Sequence, residues 1–246
     1  MNDTRPVVLV TGAARRIGAV IARTLHAAGY DLALHYRHSR AELDALVAEL
    51  EAARADSTLV VAADLADAER LPGLVDAALA RFGRLDALVN NASLFGETPL
   101  GTLTSEIWDA FLVVNARAPL LLAQAAAQHL RRSHGSIVNI TDIYAERPLA
   151  GHAAYCMSKA ALRMATFALA QELGPEVRVN AVAPGNALPP VTGGDPARAQ
   201  ALVERSALKR AGTPEDIAGA VLWLIRNARH VTGQTIRVDG GTILGA

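Results

Sequence analysis

The chain has 246 residues, 51% of them hydrophobic, with 24 basic and 24 acidic side chains and a formal net charge of zero. Balanced charge excludes a broad nucleic-acid-binding face, and a lone cysteine, Cys156, excludes a disulfide framework or a multi-cysteine metal centre. The longest apolar run, Ile217 to Ile225, is far short of the roughly 18 residues that span a bilayer, and the opening Met1-Asn2-Asp3-Thr4-Arg5-Pro6 is unlike a secretory signal. A cytoplasmic globular protein with no membrane, metal or nucleic-acid partner is therefore expected.

In chain order, Val7–Val10, Leu32–Leu34, Leu59–Val61, Ala87–Val89, Ile137–Val138, Val177–Val182 and Thr235–Val238 read as strands. Most are nearly continuous in hydrophobicity, as strands covered on both faces are. Amphipathic stretches lie between them, clearest in the i, i+3, i+4, i+7 stripe Leu43, Leu46, Val47 and Leu50. This alternation predicts one doubly wound α/β domain over residues 1–246, a seven-stranded parallel sheet with helices on both faces. No repeat or linker interrupts it. Pro184–Pro196, with four prolines and three glycines, reads as a long loop near the carboxyl ends of the strands, where functional lids are found.

The first strand runs into Thr11-Gly12-Ala13-Ala14-Arg15-Arg16-Ile17-Gly18 and then a helical pattern. Glycines permit a tight turn and close approach of backbone to a pyrophosphate, and the helix start offers free N–H donors. A carboxylate for the ribose of unphosphorylated NAD is expected about 20 residues on. That place reads His35-Tyr36-Arg37-His38-Ser39-Arg40, whose cationic and hydroxyl donors suit a 2′-phosphate. NADPH is the expected cofactor.

Over essentially its whole length the chain resembles the short-chain dehydrogenase/reductases. The resemblance rests on Thr11-Gly12 with Gly18, Asp64-Leu65, Asn90-Asn91-Ala92, Asn115, Tyr155 with Lys159, Pro184-Gly185 and Asp239-Gly240-Gly241. It implies a cofactor across the carboxyl edge of the sheet, with Asp64 and Leu65 flanking the adenine, Asn91 and Ala92 the adjacent ribose, and Pro184 and Gly185 the nicotinamide. It also implies that Asn115 holds a water for proton relay. Tyr155 and Lys159 carry a physical case of their own. Four residues apart on a helix they share one face, and an ammonium near a phenol is expected to lower its pKa from about 10. Only two of the 24 basic residues are lysines, Lys159 and Lys209, so an ammonium at this spacing is conspicuous.

Three departures narrow the function. Most members of the family carry a serine thirteen residues before the tyrosine, where this chain has Asp142; Thr141, one residue earlier, should face the other way. A carboxylate repels a developing alkoxide but suits a C=N nitrogen or a ring bearing N–H donors. Arg16 replaces the middle glycine of the turn. Ser93 replaces the final glycine of the Asn-Asn-Ala-Gly pattern, and Phe95 beyond it is a candidate stacking platform for a flat ring. With His35-Tyr36, Ser39 and Pro148–Gly151, these residues resemble the pteridine reductase branch. That resemblance implies NADPH-dependent reduction of a dihydropterin, of the dihydrobiopterin or dihydromonapterin type, with dihydrofolate as a further candidate. Tyr155, Asp142, Lys159 and Asn115 are the catalytic candidates. Arg16, Ser93, Phe95, Asp142 and Tyr155 are the substrate contacts, and Arg15, Ile17, Arg37 and the residues already named around the cleft hold the cofactor. His152 is a further candidate for the pocket wall. The lid segment Gly185–Pro189 lacks the threonine common in the family. Two other readings stand beside this one, a carbonyl reductase and a non-catalytic NADP-binding redox sensor. The family resemblance also implies a homotetramer, with the apolar helices at Trp108–Leu130 and Ala153–Leu173 at its interface.

Overall fold

Along β1 (Val7–Val10) successive side chains point to opposite faces, Val7 and Leu9 into one apolar cluster and Val8 and Val10 into another, and all four are buried. The other central strands repeat this division. It explains why the strands read as unbroken apolar runs: both faces of the sheet are covered. The computed structural model describes residues 5–185 and 196–245. The strands β1, β2 (Asp31–Tyr36), β3 (Thr58–Ala62), β4 (Ala87–Asn90), β5 (Ser136–Ile140), β6 (Arg178–Pro184) and β7 (Thr235–Val238) form one parallel sheet in the order β3-β2-β1-β4-β5-β6-β7. This is a Rossmann-type α/β fold.

One cluster packs α1 (Arg16–Ala27), α2 (Arg40–Ala53) and α8 (Pro214–Arg226) on the sheet. There Leu43, Leu46 and Leu50, the stripe read from periodicity, are buried, and Val47 packs at its edge. The opposite cluster holds α3 (Leu71–Phe82), α5 (Ala118–Ser133) and the end of α6 (Ala153–Leu173). Between α4 (Ser105–Leu112) and α5 the helix continues through a π turn at Val113–Arg117. Among the described residues the stretch Ser105–Ser133 is apolar and long enough to cross a membrane by length and composition alone. In the fold its Ala118, Leu122, Ala126 and Leu130 pack into the core.

The connections leave β1 and β4 in opposite directions along the sheet, so a crevice opens at their carboxyl ends, the place where open α/β sheets bind ligands. Val10 pairs with Val89, which puts the turn after β1 level with the turn after β4. The long loop expected at Pro184–Pro196 falls at 186–195 outside the described residues; α7 (Pro196–Arg205) follows it.

Candidate active site

The two turns at the crevice are laced together. Thr11 Oγ1 accepts from the N–H groups of Asn91 (2.9 Å) and Ala92 (3.0 Å), while Asn91 Nδ2 donates to the carbonyls of Thr11 (2.9 Å) and Gly12 (3.0 Å). Gly12 adopts φ +62° and Gly18 packs so closely that an added Cβ would stand 2.2 Å from the Gly12 carbonyl oxygen. Only glycine fits there. Arg16, the departure from the usual turn, keeps the left-handed backbone at φ +54°, which costs an L-residue about 1–2 kcal/mol. Its side chain and that of Arg15 are exposed beside the start of α1, where helix geometry leaves N–H groups free for an anion; Ile17 is half-buried.

Around the second strand the cofactor candidates divide. Arg37 is exposed and faces Asp64 at 3.7 Å, and Arg15 faces Glu42 at 3.5 Å. Arg40 pairs with Asp44 and donates to the Tyr36 hydroxyl at 3.3 Å. Ser39 caps α2 by position but makes no side-chain cap bond. Asp64 Oδ1 accepts from Ala66 N at 2.9 Å, and Leu65 is buried. His35, placed among the cofactor contacts by sequence, is buried, and both its ring nitrogens are engaged by backbone. Pro184 and Gly185 lie at the end of β6, with Gly185 N donating to Val238 O at 3.0 Å.

The proton-handling residues converge from β5 and α6. Asp142 caps a short 3-10 turn, accepting from Tyr144 N at 2.9 Å through Oδ1, and its Oδ2 accepts from the Tyr155 hydroxyl at 2.6 Å. Thr141 turns the other way and donates to Val182 O at 3.1 Å within the sheet. Lys159, one helical turn beyond Tyr155, is fully buried and donates to Ile140 O at 2.8 Å. Burial pushes the Lys159 ammonium down to about 8 and raises the Asp142 carboxyl above the usual carboxylate range. The expected lowering of the phenol is not found. Burial, and then the Asp142 carboxylate that faces it, push Tyr155 up instead, while Lys159 Nζ, 5.9 Å from the ring centroid, bonds to Ile140. The phenol is therefore held as a proton donor.

Phe95 is 60% exposed, yet two ring contacts hold it: the edge of Tyr155 at 4.8 Å and the stacked ring of His152 at 5.2 Å. Its loop is clamped by Asn115, in the π turn. The side-chain oxygen of Asn115 accepts from Leu94 N (2.8 Å), and its amide donates to Leu94 O (2.9 Å) and Ser158 Oγ (2.9 Å). These three contacts tie the π turn to the Phe95 loop and to α6. Ser93 is exposed and its hydroxyl donates to Leu94 O at 3.1 Å. The structure thus brings Asp142, Tyr155, Lys159 and Phe95 together and uses Asn91 and Asn115 as braces. Sequence reasoning left out three partners, Thr11 as a lace, Ser158 behind Asn115, and the Ile140 carbonyl; the first stood in the quoted turn, while the others carry no local signal.

The cleft fits a dinucleotide. The glycine turn leaves room for backbone to meet phosphate, and Lys159 spends one of three N–H donors on Ile140 while, among the described residues, the others have no partner. Residues 12–242 match the family model described as enoyl-(acyl carrier protein) reductase. An uncharacterized oxidoreductase of Methylorubrum extorquens is 38% identical, covering 96% of this chain and 96% of its own. Pteridine reductase 1 of Leishmania tarentolae is 36% identical over 98% of this chain and 97% of its own. The 3-oxoacyl-[acyl-carrier-protein] reductase of Synechocystis sp. is 35% identical over 98% of both chains. With this coverage and the cleft just described, the chain belongs to the short-chain dehydrogenase/reductase family of oxidoreductases that use a nicotinamide dinucleotide.

Proposed function

We propose that this protein reduces the C=N bond of a dihydropterin, of the dihydrobiopterin or dihydromonapterin type, with NADPH. The observation that carries the reading is the 2.6 Å bond between Asp142 and Tyr155, where most of the family has a serine. A carboxyl beside the phenol disfavours an alkoxide and favours a nitrogen that must gain a proton. Phe95, exposed and braced on two rings, supplies a stacking surface for a planar heterocycle, and the similarity to a pteridine reductase points the same way.

Gly12, Ile17, Gly18, Asn91, Ala92 and Pro184-Gly185 line the dinucleotide cleft, and Arg15, Arg16, Arg37, Tyr36 and Ser39 stand where phosphates are met. A 2′-phosphate can exchange for Asp64 on Arg37, since such an exposed ion pair holds with at most about 1 kcal/mol. Bound NADPH supplies a hydride to the ring carbon. Tyr155 delivers its hydroxyl proton to the adjacent ring nitrogen, which balances the addition of two hydrogens across C=N. Asp142, inclined by burial to take up a proton, then picks one up from solvent and passes it to the phenolate, which resets the pair. The Lys159 ammonium stabilises that phenolate as it forms, and Arg16 and Ser93 orient the pterin.

Following NADPH absorbance over a panel of dihydropterins, dihydrofolate, simple ketones and a 3-oxoacyl thioester tests this. Turnover of dihydropterins well above the ketones is expected; brisk ketone turnover with none on pterins replaces this reading with the carbonyl reductase that the 3-oxoacyl relative suggests. A redox sensor would bind NADPH with no substrate turned over, and it would have no use for the buried Asp142–Tyr155–Lys159 set.

A further inference from the structure

His35 lies on β2, behind the dinucleotide turn, and is 2% exposed. Its Nδ1 meets the backbone N–H of Gly12 at 3.2 Å, and its Nε2 meets the carbonyl oxygen of Ala63 at 3.1 Å. The two partners settle its chemistry. A carbonyl can only accept, so Nε2 carries the proton; the Gly12 N–H can only donate, so Nδ1 must be bare. The backbone carbonyl of His35 also accepts from Ala13 N at 2.9 Å, so this one residue anchors two successive N–H groups of the turn.

We propose that His35 is the positioning residue of the cofactor turn, and that its neutral, Nε2-protonated ring is required for tight cofactor binding. A second proton on the ring would set an N–H of Nδ1 against the N–H of Gly12, and two donors cannot share that contact. Gly12 would have to move, and through it the bonds to Asn91 and the close packing against Gly18 that shape the cleft. Among the described residues the charged group facing the ring is Asp64, after β3, whose carboxylate favours the imidazolium; burial opposes it more strongly and holds the ring below the usual histidine range. Asp64 is itself turned toward Arg37. Cofactor affinity should therefore be steady at neutral pH and fall as pH drops below the usual histidine range, toward the lowered value of this ring. The inference holds for any dinucleotide and is independent of the pterin reading.

The test is NADP⁺ binding measured by calorimetry from pH 7.5 to pH 5 on the wild type, His35→Asn and His35→Gln. Asparagine places an acceptor oxygen near the Nδ1 position and does not titrate; glutamine can reach Ala63 but leaves Gly12 N–H without an acceptor. Expected at pH 7.5 is Asn binding within about threefold of wild type and Gln weaker by tenfold or more. As pH falls and the ring takes up its second proton, the wild type should lose affinity that Asn keeps, a comparison that cancels titration of the ligand's own 2′-phosphate. Superimposable pH profiles for wild type and Asn overturn the proposal. So does a ¹⁵N spectrum of the unliganded protein showing the proton on Nδ1 at neutral pH, a readout that needs no variant to fold.

Discussion

At the residue scale, Lys159 shows how the site stores its charge. Its folded pKa of about 8 lies below the 10.5 of an exposed lysine. Between those values the unfolded chain binds more protons than the folded one, so this lysine makes stability rise with pH across that window, by up to about 1.4 kcal/mol per unit. Below pH 8 its full cost is present. Urea unfolding of the unliganded protein should therefore show Lys159→Met gaining on the wild type at pH 7, with the gap closing toward pH 10. Arg16 carries a separate cost in its backbone. Arg16→Gly removes the left-handed strain but loosens the unfolded chain, so stability should hold or rise by up to about 1 kcal/mol. Dihydropterin kcat/KM should nonetheless drop, which separates the guanidinium's role from any folding defect. Tyr155→Phe should lower kcat by about 10²-fold or more while NADPH affinity stays within a few-fold, as loss of a general acid does. A redox sensor would show no such split.

At the scale of elements, the braces matter more than the groups that touch ligand. Asn115→Ala leaves Leu94 N without its acceptor and takes one donor each from Leu94 O, which keeps Ser93, and Ser158 Oγ, which keeps its bond to the Tyr155 carbonyl, and should cost about 1–3 kcal/mol in urea unfolding. Gly18→Ala would drive a methyl into the Gly12 carbonyl, so NADP⁺ binding should be lost from a chain that still shows native far-ultraviolet circular dichroism. These elements also mark the limit of what can be read from the chain alone. The central strands were legible because they bury both faces, the half-buried edge strands β3 and β7 because they are still short apolar β-branched runs, and Asp142 because a one-residue step from Thr141 swaps faces. The π turn was not, since a single widened turn leaves the apolar pattern of α4 and α5 intact. Nor was the inward aim of His35: an alternating strand puts a ring on one face or the other, but its partners at Gly12 and Ala63 come from turns 23 and 28 residues away. The raised phenol of Tyr155 escaped for a similar reason, because spacing on a helix says that a lysine is near but not how deeply the phenol is buried or that the Asp142 carboxylate faces it.

For the molecule as a whole, the sheet serves to bring the ends of β1, β4 and β5 to one crevice, and the helices leave apolar residues at the surface. Leu120 on α5 and Met157 and Met164 on α6 are exposed by 44%, 52% and 63%, on the helices expected to form an interface. A homotetramer that buries them should sediment at four times the 25.8 kDa chain mass; a monomer at micromolar concentration would rule it out. Substrate choice is the more pointed question at this scale, because relatives of nearly equal identity are named for reducing pterins and 3-oxoacyl groups. The carboxyl at position 142 is the proposed discriminator. The most direct measurement is the ratio of kcat/KM for a dihydropterin to that for a 3-oxoacyl thioester, in the wild type and in Asp142→Ser. Expected is a ratio well above one that falls by about 10²-fold or more in the variant; a ratio below one in the wild type, or one that the substitution leaves unmoved, would contradict the assignment.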